Sequence, residues 1–228
     1  MLVWGKNVFN EIDKSKIRKV YIEKNILNEY ISYMQNNKIR YDIVDKKVLD
    51  EMAPKNHQGV VVDVYEYEYK DLDECFDDEF VLMLDHLEDP HNFGAIIRTC
   101  ECAGIKHVII PKDRSVRVNE TVIKVSTGAI SYVDIIMVSN LSNAIDKLKN
   151  NGFFIYGADM DGEDYLGVDY ADKKVLVIGN EGKGISPIVS QNCDAIVSIP
   201  MTGKINSLNA SVSAGILIYG INKVKNEK

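Results

Sequence analysis

Polar residues stand at three places where apolar, strand-like runs end in turns. They are Asn92 and Arg98 in LDHLEDPHNFGAIIRTCECAG (84–104), Glu181 in VLVIGNEGKGIS (175–186), and Ser207 and Asn209 in AIVSIPMTGKINSLNASVSAGILIYG (195–220). Amide, guanidinium, carboxylate and hydroxyl groups at strand-to-helix edges are the groups with which an α/β protein holds and aligns a ligand. Each also has a plainer account. Asn92 opens a helix whose apolar positions are Phe93, Ile96, Ile97 and Cys100; an Asn there caps free backbone N–H groups, and Arg98, off that stripe, is a solvated surface charge. The glycines of the second segment allow positive φ and close backbone approach, which suits a nucleotide or a nucleoside-like cofactor. Their order is GxxGxG, late in the chain, not the GxGxxG that follows the first strand of a βαβ pair. Glu181 in that turn would repel a pyrophosphate, which favours a cofactor without phosphates. Ser207 and Asn209 precede an apolar helix carrying Ala210, Ser211, Ser213, Ala214 and Gly215, and on the plain account they cap it.

The elements that must position these groups follow from hydrophobic pattern. From Phe80 onward, FVLMLD, HVIIP, VDIIMV, FFIYGAD, KVLVIGN and AIVSIPM are apolar without alternation, as strands buried on both faces of a mostly parallel sheet are. LSNAIDKLKNNG reads as an amphipathic helix closed by Gly152. Residues 1–70 read as a small α/β unit: a helical start at VFNEIDKS, a strand at VYI, a helix through LNEYISYMQNN, then RYDIVD and the strand GVVVDVYEY. Acidic YKDLDECFDDE reads as a linker over 71–79, and 80–228 as the second domain, an α/β sandwich.

Composition narrows the classes. Hydrophobic residues at 46% and charged residues at 27% are ordinary globular usage, so the chain is expected to fold. A net charge of −7 argues against bulk electrostatic coating of nucleic acid. The acidity is uneven: residues 1–70 hold 12 Lys and Arg against 11 Asp and Glu, and the remainder 15 against 23. Cys75, Cys100, Cys102 and Cys193 have neither CxxC spacing nor disulfide-scaffold density, which fits a reducing cytoplasm. MLVWGKNVFNEIDKSK lacks the apolar run of a signal peptide, and no 18-residue apolar run is present, so no membrane role is expected. His57, His86 and His107 lack metal-ligand spacing and read as structural, while His91 lies beside Asn92.

Taken together, NFGAIIR, GNEGKGIS and IPMTGKINSLNASVSAG resemble, in order, motifs 1, 2 and 3 of the SpoU (TrmH-type) branch of the SPOUT methyltransferases. Similarity continues in HVIIPKDRSVRVNETVIKVSTGA, and GKNVFNEI and NHQGVVV resemble the substrate-binding domain of ribosomal RNA members. The resemblance implies an α/β-knot fold, with a C-terminal trefoil knot, that binds S-adenosyl-L-methionine (AdoMet) and forms a homodimer with active sites completed near the subunit interface. It implies methylation of a ribose 2′-hydroxyl, with no metal required and a guanosine of 23S ribosomal RNA as the expected target; transfer RNA, or another ribosomal nucleotide of the antibiotic-resistance type, is the alternative target. By position, Asn92, Arg98, Glu181, Ser207 and Asn209 match the catalytic set, and Gly179, Ile199, Met201 and Leu208 the backbone groups that hold AdoMet. Lys112, Arg114, Arg117 and Lys124 are the candidate RNA contacts; the plain account is a charged helix or loop face.

For the family Arg98 is the usual candidate for the base. A guanidinium, however, is effectively always protonated in proteins. The alternative is that Arg98 clamps a neighbouring phosphate while that phosphate or a water takes the proton. Glu181 is expected to hold Arg98 by a charge-assisted hydrogen bond. Two rival classes stand beside this reading. A nicotinamide-linked dehydrogenase rests on the glycine turn alone and lacks the early fingerprint. A non-catalytic RNA-binding protein would use the N-terminal unit and leave the polar groups of the three motifs without a role.

Overall fold

The computed structural model describes residues 1–53, 56–204 and 207–226. The chain divides into two compact units, one of Met1–Glu68 with Val118–Ser131 and one of Tyr69–Arg117 with Tyr132–Lys228.

In the first unit β1 (Leu2–Trp4), α1 (Lys6–Glu11), β2 (Ile17–Glu23), α2 (Leu27–Asn36), β3 (Tyr41–Val44), α3 (Lys46–Met52) and β4 (Val60–Val64) follow in order. The sheet runs β1-β4-β2-β3, with β4 antiparallel to both neighbours and β2 parallel to β3. Phe9 of α1 is fully buried, edge-on to Tyr30 and Tyr33 of α2 at ring distances of 5.2 and 5.5 Å. Leu49 and Ala53 pack with Val61 at α3. The sequence reading misses the short β1 and α3.

Residues 118–131, which the sequence reading leaves in the second domain, pack in this unit. They contain a helix, Glu120–Val125, which lies against β1 and buries Val122 and Ile123. Asn119 caps it by accepting from Val122 N at 3.0 Å. Gly128 approaches the Glu11 backbone so closely that a side chain there would meet the Glu11 carbonyl at 3.3 Å.

In the second unit every expected strand forms: β5 (Phe80–Leu84), β6 (His107–Pro111), β7 (Asp134–Val138), β8 (Phe154–Asp164), β9 (Lys174–Ile178) and β10 (Ala195–Ser198). They make one sheet in the order β10-β8-β9-β5-β6-β7, and every pairing is parallel. Counting Glu120–Val125 as α5, the helices here are α4 (Pro90–Cys102), α6 (Leu141–Asn150), α7 (Pro187–Gln191) and α8 (Ala210–Asn226). Val81 and Met83 of β5 face the cluster formed with Ile145, Leu148 and Val189 of α6 and α7, and the alternating Leu82 and Leu84 are also fully buried. Burial on both faces explains why these strands read as unbroken apolar runs.

The expected linker is not free chain. Lys70 bridges to Ile136 of β7, and a short 3-10 helix at Leu72–Cys75 buries Cys75 in the core of the second unit. Six acidic residues in 71–79 mask the inward apolar anchors Leu72, Cys75 and Phe76.

Connections from β5 lead to β6 and β7 on one side, whereas β9, its other neighbour, leads to β10 on the far side. A crevice opens where strand order reverses in this way, at the carboxyl ends of the strands. The loops after β5, β9 and β10 carry the three motif segments.

Candidate functional site

The glycine turn after β9 is closed by its own backbone. Asn180 and Gly184 exchange two N–H···O bonds of 2.9 Å, and Gly182 N donates to Asn180 Oδ1 at 3.0 Å. Gly179 precedes the turn because nothing larger fits: a Cβ there would lie 2.0 Å from the Gly184 carbonyl carbon. Asn180 Nδ2 donates to His86 O at 2.8 Å, tying the near end of the turn to the loop after β5. Asp85, only 1% exposed, ties the far end by accepting from Ser186 N at 2.6 Å, and its other oxygen lies 2.5 Å from His86 Nδ1. Sequence reasoning missed Asp85 and Asn180 as positioning groups. Both stand within the motif segments, Asp85 in 84–104 and Asn180 beside Glu181 in 175–186.

Asn92, Glu181 and Asn209 come together. Asn92 is buried at 7% exposure and donates from Nδ2 to Glu181 Oε1 at 3.1 Å, while its Oδ1 accepts from Asn209 Nδ2 at 3.0 Å. Asn209 Oδ1 in turn accepts from Ser211 N at 2.9 Å and Ser211 Oγ at 2.6 Å. The direction of this chain is fixed at both ends. A carboxylate can only accept, and a backbone N–H can only donate, so both amides have one allowed orientation. Packing of α4 against α8 brings the two Asn residues into register.

Two expectations are corrected. Asn92 is the third residue of α4, not its cap; Asp89 caps, accepting from His91 N at 2.8 Å, and Pro90 takes the first helical position. Glu181 does not hold Arg98, since its Oε1 is bonded to Asn92 and to Asp89 N. Arg98 is exposed on α4, and no described residue gives it a hydrogen bond or ion pair. Asn209 both caps α8 and reaches Asn92.

Around the glycine turn is a cavity of about 700 Å³. Gly179, Ile199, Met201 and Leu208, the expected cofactor positions, line it together with Glu181 and Ser207. Met201 and Leu208 are 38% and 40% exposed, so their side chains are not core packing. Ile205 and Asn206 of the third segment lie outside the described residues. Asp159, in an irregular stretch of β8, also lines the cavity and was missed, because β8 carries none of the motif segments.

Lys112, Arg114 and Arg117 are exposed on the loop after β6, at the carboxyl edge of the sheet, with Arg117 donating to Lys112 O at 3.4 Å. Lys124 is exposed on α5 in the first unit, so the four cations do not share one unit. His57, His86 and His107 each pair with a carboxylate, of Asp50, Asp85 and Asp78. Among the described residues no group of three or more His, Cys, Asp and Glu side chains could hold a metal ion, and no helix is long and apolar enough to cross a membrane.

Comparison with known proteins agrees with this architecture. The SpoU rRNA Methylase family model matches residues 79–219, and a model described as RNA 2′-O ribose methyltransferase substrate binding matches residues 2–70. A Staphylococcus aureus protein named for the TrmH family of tRNA/rRNA methyltransferases is 41% identical over 96% of this chain and 94% of its own length. A Bacillus subtilis relative named for the same family is 39% identical over 98% and 96%. Among solved structures, the SpoU methyltransferase AviRb from Streptomyces viridochromogenes, in complex with AdoMet, has a TM-score of 0.85 at 24% identity, covering 100% of this chain and 90% of that one. The A. aeolicus TrmH/SpoU tRNA modifying enzyme has a TM-score of 0.61 at 31% identity, covering 68% and 81%. The family match spans well over half of the sequence, and the S. aureus relative nearly all of it; the chain therefore belongs to the SpoU rRNA methylase family of AdoMet-dependent RNA methyltransferases.

Proposed function

We propose that this protein methylates the ribose 2′-hydroxyl of a nucleotide, a guanosine, in 23S ribosomal RNA, acting as a cytoplasmic homodimer. The observation that carries the reading is the cavity at the glycine turn, whose Glu181 is bonded through Asn92 to Asn209, so that all three motif segments meet at one place.

The lining suits AdoMet. Gly179 leaves room for the turn to close on Gly184, and the charged lining residues are Asp159, Glu181 and Lys183, a poor set for phosphates and a good one for a cation. AdoMet, when bound, supplies a methyl group already activated by its sulfonium. Backbone groups at Gly179, Ile199, Met201 and Leu208 are assigned to hold it. Ser207, exposed at the cavity, and the Asn92–Glu181 pair orient the nucleotide. Arg98, exposed and without a partner among the described residues, is assigned to an RNA phosphate, and the proton of the 2′-hydroxyl passes to that phosphate or to water. Lys112, Arg114, Arg117 and Lys124 are assigned to the RNA backbone.

Val212 and Tyr219, seven residues apart on one face of α8, are 49% and 52% exposed, an apolar stripe that suits coverage by a second subunit. The C-terminal knot belongs to the same proposal and is supported by family membership and by the return of β9 between β8 and β5. The N-terminal domain, 1–70, is assigned to substrate binding, supported by its own family match.

The names of the relatives include both tRNA and rRNA, and the A. aeolicus enzyme is described as tRNA-modifying, so methylation of tRNA is the second reading. Labelled AdoMet with total RNA from cells lacking this protein separates them. Label in large-subunit RNA that is lost with Arg98→Ala supports the proposal, label in tRNA supports the second reading, and no label in any RNA or ribosomal particle leaves a non-catalytic binder.

A further inference from the structure

We propose that Asp159 makes the cofactor site prefer the cationic AdoMet over its neutral-sulfur product, S-adenosyl-L-homocysteine (AdoHcy), and so favours exchange of spent cofactor. The inference rests on the AdoMet reading of the cavity.

The residue is placed there by an interruption in a strand. β10 pairs with Tyr156 and Gly157 of β8, then with Glu163 and Asp164, so residues 158–162 bulge out of the ladder. Both ends of the bulge are glycines for want of space. A Cβ on Gly157 would lie 2.9 Å from Cys193 Sγ, and one on Gly162 would lie 2.6 Å from the Val197 carbonyl carbon. Ser198 Oγ donates to Gly162 O at 2.8 Å and fastens the exit. The bulge turns Ala158, Asp159 and Met160 into the wall of the cavity.

Asp159 is half-buried there, and its Oδ2 lies 3.6 Å from the point a side chain on Gly184 would occupy. Of the two carboxylates in the lining, Glu181 is engaged by Asn92 and the Asp89 backbone N–H. No hydrogen bond or ion pair from a described residue reaches Asp159. Lys183, the lining cation, is exposed to solvent. An uncompensated carboxylate in a cavity of about 700 Å³ is close to any point of a bound ligand. AdoMet and AdoHcy differ there by one methyl and one positive charge. Wherever the sulfur lies, the carboxylate's field favours the cation, by on the order of fivefold in affinity at partly exposed, intermediate dielectric.

The test is calorimetric titration of the full chain with AdoMet and, separately, AdoHcy. The wild-type protein should bind AdoMet relatively more tightly, Asp159→Asn should cut the ratio of the two affinities about fivefold, and Asp159→Glu should restore it. Asp161→Asn, an exposed change in the same bulge outside the cavity wall, should leave the ratio alone. A ratio unchanged in Asp159→Asn overturns the proposal. Equal weakening of both ligands also overturns it, since the carboxylate then meets the amino-acid part they share. Failure of the wild-type protein to bind either ligand sinks the AdoMet reading itself.

Discussion

Replacing Asn92 by Asp changes one atom group and leaves the shape of the side chain alone. The Nδ2 donor that meets Glu181 Oε1 at 3.1 Å becomes an oxygen, while the atom accepting from Asn209 can stay in place. A hydrogen bond to a charged group, worth about 1.5–3 kcal/mol, is lost. In its place two carboxylate oxygens face each other, at a cost of about 1 kcal/mol if water screens them fully and about 5 kcal/mol at an intermediate dielectric. Glu181 is exposed, so the lower part of that range applies, and the pair relieves the repulsion by taking up a proton. The net expectation at pH 8 is about 2.5 kcal/mol, or about 70-fold in kcat/KM, with a lower melting temperature. The sign with pH follows. A like-charge neighbour raises a carboxyl's pKa, and the protonated form supplies the missing O–H donor, so activity and stability should recover as pH falls and fade as it rises. Methyl-transfer rates and thermal melts of wild type and Asn92→Asp from pH 5.5 to 8.5 are the assay. If the two proteins share one pH profile and one melting curve, the Asn92–Glu181 bond does not organise the site.

Gly179→Ala should lower AdoMet affinity at least tenfold by calorimetry, because its Cβ would stand 2.0 Å from the Gly184 backbone and the turn must open. Asp85→Ala strands the part-buried N–H of Ser186 and the ring of His86, and should cost about 2 kcal/mol in urea unfolding. Ellman's reagent at pH 8 should find one fast thiol, the exposed Cys102. Burial pushes the thiols of Cys75 to about 12 and Cys193 to about 11 and raises that of Cys100, so these should react only after unfolding. Changing Lys112, Arg114 and Arg117 together to Gln should weaken RNA binding and flatten its dependence on salt by about two to three charges, leaving AdoMet affinity unchanged.

The strands of the second unit were legible because burial on both faces leaves an unbroken apolar run that few other structures produce. The ends of the strands were legible too, since glycines and polar residues gather there. What the sequence concealed was pairing across distance: Asn92 meets Glu181 across 89 residues and Asn209 across 117. The plainer account of Asn92, as a cap, has a rival in the sequence itself. Asp89-Pro90 is a start signal in its own right, Asp accepting at the cap and Pro filling the first helical position. Asp159 also had a signal, since two glycines five residues apart inside an apolar strand pattern mark a bulge. Residues 118–131 had none. Their β-branched residues say that they pack, and the partner lies more than a hundred positions earlier, in β1.

The most direct test of the central claim is the chemical position of the transferred methyl. RNA labelled by this protein from methyl-tritiated AdoMet would be hydrolysed in alkali, which cleaves through a free 2′-hydroxyl and spares the bond beside a methylated one. The account predicts that the label emerges in alkali-resistant dinucleotides and disappears with Arg98→Ala. Label released in mononucleotides, on a base, would contradict it.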